Sequence, residues 1–157
     1  MSQKVFVAGD VLTAADVNTF LAGEGGQWSS WTPTVTQGGA VSVTVTYARY
    51  ARYGRTIHFN ASLAVTGTGT GFEPVEISGL PATAATSALI VGQGSIFDAS
   101  ATAYKSGVCF LESTTTFSIR SEIDAAPFDN RLGLYSFTAG LASGDNIRIQ
   151  GTYEAAT

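Results

Sequence analysis

The sequence predicts an all-β domain, an antiparallel β-sandwich of jelly-roll type with a short helical segment at its N-terminus. Three observations lead there. Apolar and polar residues alternate over short runs such as Ile57-His58-Phe59-Asn60-Ala61-Ser62-Leu63, the pattern of a strand with one face buried. Gly, Pro, Asn and Asp punctuate these runs at intervals of about 8–12 residues, the spacing of sandwich and barrel strands. After residue 23 almost no stretch repeats its apolar residues at helical spacing.

Composition bounds the function. The chain has 157 residues, of which 45% are hydrophobic, enough for one domain with its own core. Charged residues make up only 13%, against about 25% in ordinary soluble proteins. Thr, Ser, Gly and Ala must cover the surface, as in an extracellular β protein or a subunit flanked by copies of itself. The net charge is −4 and the only lysines are Lys4 and Lys105. That balance argues against nucleic acid as a partner, since phosphate binding needs clustered cations. The single cysteine, Cys109, excludes an internal disulfide, and its apolar neighbours predict a buried, inert thiol. No secretory signal is visible and no run approaches the roughly 20 apolar residues of a membrane span. Synthesis in a cytoplasm, without the ordinary export route or membrane insertion, is the expectation.

The chain divides at a Gly-rich joint, Glu24-Gly25-Gly26. Before it, Thr13 and Asp16 read as an N-cap pair and Ala14–Ala22 as a helix ended by Gly23. Val17, Phe20 and Leu21 share one face of that helix. Two turns of helix are marginal alone in water, so a partner surface is expected to hold them. Residues 1–26 are therefore read as a docking segment and 27–157 as the β domain.

Trp28 and Trp31 open the domain, either as a hydrophobic plug at its entrance or as a platform for a sugar ring. Thr32–Thr36 is a short strand and Gln37-Gly38-Gly39 a turn. Val41–Val65 reads as a long hairpin turned at Tyr53-Gly54-Arg55, with Val41, Val43, Val45 and Tyr47 on one face of its first arm. Ile57, Phe59, Ala61, Leu63 and Val65 form the buried set of the second arm. The Tyr-Ala-Arg triplets between the arms cannot keep one face apolar, so a bulge is expected near Ala48–Tyr50. Tyr47, Arg49, Tyr50, Arg52, Tyr53 and Arg55 admit three readings: a bulged strand with ordinary surface arginines, a subunit interface, or a glycan pocket. Thr66–Gly71 is a loop. Further strands are predicted at Pro74–Ser78, Ala88–Ile96 (bent at Gly92 and Gly94), Ala103–Leu111, Thr115–Ile123 and Tyr135–Thr138. The last strand carries Ile147, Ile149, Gly151 and Tyr153 inward.

Enzyme signatures are thin. His58 is the only histidine, and no His/Cys cluster or nucleophile elbow accompanies it. Asp124, Asp129 and Asn130 lack the acid spacing of a dedicated Ca²⁺ loop. No catalytic residue, metal ligand or cofactor is assigned.

Val7-Ala-Gly-Asp-Val-Leu-Thr-Ala-Ala-Asp-Val-Asn-Thr-Phe-Leu21 resembles the start of many bacteriophage virion proteins, notably minor tail and tail-fibre-like proteins of phages of actinobacteria. Trp31-Thr-Pro-Thr, Tyr53-Gly-Arg-Thr-Ile57 and the terminal Gly151-Thr-Tyr-Glu-Ala155 are similar in layout to later parts of such proteins. The resemblance implies a virion component, a homotrimer, held to other tail or capsid proteins through Val11, Leu12, Val17, Phe20 and Leu21. It implies a tail-fibre role on the particle surface, binding host glycan. A capsid decoration protein or head fibre is the alternative, and a polysaccharide-cleaving enzyme the third.

Overall fold

A computed structural model describes residues 11, 13–14, 27–121, 131–132 and 140–157. The expected helix at 14–22, with Leu12, Val17, Phe20 and Leu21, lies outside the described residues, as do the strand at 135–138 and Asp124, Asp129 and Asn130. Val11 is described and is 80% exposed.

The protein is all-β and antiparallel. Among the described residues, ten strands follow in chain order: β1 (Ser29–Ser30), β2 (Thr34–Thr36), β3 (Ala40–Val41), β4 (Val43–Tyr53), β5 (Thr56–Val65), β6 (Glu76–Ser78), β7 (Leu89–Asp98), β8 (Ala103–Leu111), β9 (Thr116–Arg120) and β10 (Asn146–Glu154). Hydrogen bonding joins them in one sheet, in the order β1-β4-β5-β10-β7-β8-β9-β6-β2-β3.

That order dictates the curvature. β4 and β3 lie eight positions apart in the sheet, roughly 38 Å if it were flat. Yet only Ser42 separates them in the chain, and two residue steps span at most about 7 Å. The sheet must roll until its ends approach, and it forms a half-barrel. Ser42 carries the chain from one end to the other, and its carbonyl accepts from the amides of Thr66 and Gly67 at 2.9 and 3.0 Å, which extends the β4–β5 pairing.

Rolling encloses the core. Phe59 on β5 stacks on Phe117 of β9 with ring centroids 4.8 Å apart, and Tyr153 of β10 closes the cluster 6.0 and 5.9 Å from the two rings. Ile57, Phe59, Ala61, Leu63 and Val65 are all buried, as their alternation predicts, and so are Phe117, Ile119, Ile147 and Ile149. Close strand approach in this roll requires missing side chains. A Cβ on Gly107 would stand 2.0 Å from the Arg120 carbonyl oxygen, and one on Gly92 would stand 1.9 Å from that of Gln150.

The hairpin departs from its prediction in two ways. Val41 belongs to β3, pairing with Val35 at the far end of the sheet. The bulge lies between Val45 and Tyr47, not at Ala48–Tyr50. One inserted residue reverses the phase of a strand. Tyr47 therefore leaves the face of Val43 and Val45 and is 43% exposed. The β4–β5 turn itself is as expected. Gly54 takes φ +60°, the positive value a two-residue hairpin loop needs at its first position. The bend foreseen in β7 is a second bulge, between Ile90 and Gly92.

Candidate binding groove on the outer face

Cross-strand partners share a face, so the register writes the outer surface as rows. One row runs Tyr47–Ser62–Arg148–Ser95–Ser106 across β4, β5, β10, β7 and β8. The next runs Arg49–Asn60–Gln150–Gln93–Val108–Arg120. A third carries Ala51–His58–Thr152, and a fourth Tyr53–Thr56–Glu154. Strand spacing is about 4.8 Å and rows lie about 7 Å apart.

Two hollows open along these rows. One, of about 650 Å³, is lined by Tyr47, Asn60, Gln93, Gln150, Arg148 and Arg120 with Ser95 and Ser106. The other, of about 630 Å³, is lined by Trp28, Tyr53, His58 and Thr152. Asn60, Gln93 and Gln150 border both, so they form one continuous groove. Its volume is that of a small-ligand site.

The polar groups are oriented. The Tyr47 hydroxyl donates to Asn60 Oδ1 at 3.1 Å. His58 Nδ1 and the Thr152 hydroxyl share a 3.0 Å hydrogen bond, and Tyr53 meets the imidazole edge-on at 5.7 Å. Arg148 donates from Nε to Asn146 Oδ1 at 3.1 Å. Arg120 is committed elsewhere. It grips Glu112 through Nε and Nη2 at 3.0 and 2.8 Å and lies 3.7 Å above the Phe110 ring. Partial burial opposes ionisation of Glu112, but the hydrogen bonds from Arg120 and Ser118 more than offset it and hold the carboxyl below its usual range.

Among the described residues, no carboxylate lines either hollow. Several described acids are engaged with other partners. Glu76 pairs with Arg131, Glu154 with Arg55, and Asp145 accepts from the Ala99 and Ala142 amides.

The sequence candidates separate accordingly. Trp28 and Trp31 do not act together. Ser29 pairs with inward Tyr50 and Ser30 with outward Arg49, so alternation turns Trp28 outward and Trp31 inward. Trp28 is 55% exposed in the groove, whereas Trp31 is buried in the core. Tyr47 and Tyr53 line the groove, while Tyr50 packs half-buried against the core. Arg49 is exposed on the same face. Arg52 and Arg55 stay at the hairpin end, where Arg52 donates to the Gly54 carbonyl and Arg55 pairs with Glu154 at 3.2 Å. Cys109 is fully buried, which pushes its thiol up to about 12.

Sequence reasoning missed Gln93, Gln150 and Arg148. Each stands in the polar phase of its strand, which gave a signal of exposure. Only the register shows that they converge. Comparison with protein-family models, with curated proteins and with solved structures finds no match to the chain.

Proposed function

We propose that this chain is a bacteriophage virion protein of tail-fibre or minor-tail type whose outer groove binds host-surface glycan. In this reading residues 1–26 dock on the particle and the rolled sheet, a jelly-roll-like sandwich, projects as a trimer. The observation that carries the proposal is the groove's chemistry. Exposed Trp28, Tyr47 and Tyr53 offer flat apolar faces beside the amides of Asn60, Gln93 and Gln150. Sugar rings present apolar faces and a rim of hydroxyls, and such a lining complements both. Hydrolysis of a glycosidic bond ordinarily needs two facing carboxylates, and the described residues of the lining include none, which favours binding over cleavage. Three copies would convert weak single-site contacts into avidity.

Competition with adsorption tests the reading. Saturating purified chain should block attachment of phage to host cells, and a Trp28→Ala/Tyr53→Ala variant should not. Unchanged adsorption at saturating chain refutes receptor binding. Density confined to the head in images of whole particles overturns the tail assignment in favour of a decoration protein.

A further inference from the structure

We infer that the ligand of the groove is an acidic glycan, with a carboxylate-bearing sugar unit held at Arg148; this rests on the glycan-binding reading above. The chain as a whole carries a net charge of −4, yet among the described residues the charged side chains of the groove lining are arginines. Arg148 is exposed in the row between Ser62 and Ser95. Its one hydrogen bond among the described residues uses Nε, so neither terminal amino group is committed to a described residue. Arg49 adds a second exposed guanidinium on the same face, with no ion pair to any described residue. It stands two strands and one row from Arg148, about 12 Å by sheet geometry. Arg120 is already neutralised by Glu112. The contrast between these arginines indicates that the ligand supplies the missing anion.

The fork of a guanidinium matches a carboxylate in its own plane. Ser95 and Ser106 and the amides of Gln93 and Gln150 supply neutral donors and acceptors for the same unit's hydroxyls. Trp28 and Tyr53 lie at the other end of the groove, beyond the Asn60–Gln150–Gln93 row. The groove therefore separates two tasks, stacking at one end and charge recognition at the other.

The test uses the full chain and a panel of immobilised oligosaccharides in matched pairs, each uronic-acid chain beside its carboxyl-reduced counterpart, with poly(glycerol phosphate) alongside. The wild-type chain should prefer the acidic member of at least one pair by roughly 10- to 100-fold, the range for a hydrogen-bonded charge. Arg148→Gln should bring that preference close to 1 while the melting temperature stays unchanged. Trp28→Ala should weaken both members alike. Equal binding of acidic and reduced members overturns the inference and leaves the glycan reading standing. Stronger binding of poly(glycerol phosphate) than of any uronic chain overturns it in favour of a phosphodiester ligand. Binding to no member overturns both readings.

Discussion

Replacing Tyr153 by Phe isolates one contact that ties the roll together. The Tyr153 hydroxyl donates to the Ala82 carbonyl at 2.7 Å and accepts from the Ala82 amide at 3.1 Å. One oxygen thus satisfies both backbone groups of a single residue in the connection after β6. The phenyl ring of the variant keeps its place against Phe59 and Phe117, so ring packing hardly changes. What is lost is two hydrogen bonds, and what remains is a half-buried donor and acceptor at Ala82. A net bond is worth about 1 kcal/mol and an unsatisfied buried partner costs about 1–3 kcal/mol. Partial access of water at Ala82 places the sum near 2 kcal/mol. For a chain of this size that is roughly 4–8 °C in melting temperature. Thermal denaturation followed by circular dichroism measures it, and amide exchange at Ala82 should accelerate selectively. A shift below about 0.5 kcal/mol with unchanged exchange at Ala82 would refute the clamp.

Three further outcomes follow from the same geometry. Because the folded Glu112 carboxyl is held below the usual carboxylate range, its ion pair stabilises the fold fully above the unfolded carboxyl's pKa and the benefit fades as pH falls through the folded pKa. Thermal melts should therefore drop on acidification, and Glu112→Gln should flatten that acid limb while costing about 2 kcal/mol at pH 7. Gly107→Ala forces β8 and β9 apart, since its Cβ would stand 2.0 Å from the Arg120 carbonyl oxygen; a loss of about 3 kcal/mol or more is expected in denaturant titration. Cys109, with its thiol raised to about 12 by burial, should resist a thiol reagent in the folded protein and react fully once unfolded.

Much of the strand pattern was legible in the chain because it is local. The alternation of Ile57 to Val65, the Gly54 turn, the bend of β7 at Gly92 and the bounds of β8 all follow from residues within a few positions of one another. What failed was non-local. Val41 and Val43 continue one alternation, yet Val41 pairs with Val35 and Val43 with Val65, toward opposite ends of the sheet. The bulge beside Tyr47 is set by register against β5, and no residue near it announces the position. Gln37 looked like part of a turn. It is 1% exposed, donating to the Glu73 carbonyl and accepting from the Leu141 amide at 2.7 Å, partners far along the chain. The groove was half legible. Trp28, Tyr47 and Tyr53 drew notice as unusual residues, whereas Gln93, Gln150 and Arg148 are ordinary strand residues until three strands are aligned.

The strands at the two ends of the sheet, β1 and β3, have two residues each. An exposed strand edge is a template on which another chain can build main-chain pairing, and shortening it is one way proteins avoid fusing side by side. β1 and β3 themselves offer only one or two unpaired backbone groups each, and the part of β4 that β1 leaves uncovered is interrupted by the bulge between Val45 and Tyr47, another device that blunts edge pairing. Crowded copies of this domain would therefore have to recognise one another, or a surface, through side chains. Contacts of that kind can be tuned residue by residue and released, which suits a protein displayed at high density far better than an edge that zips.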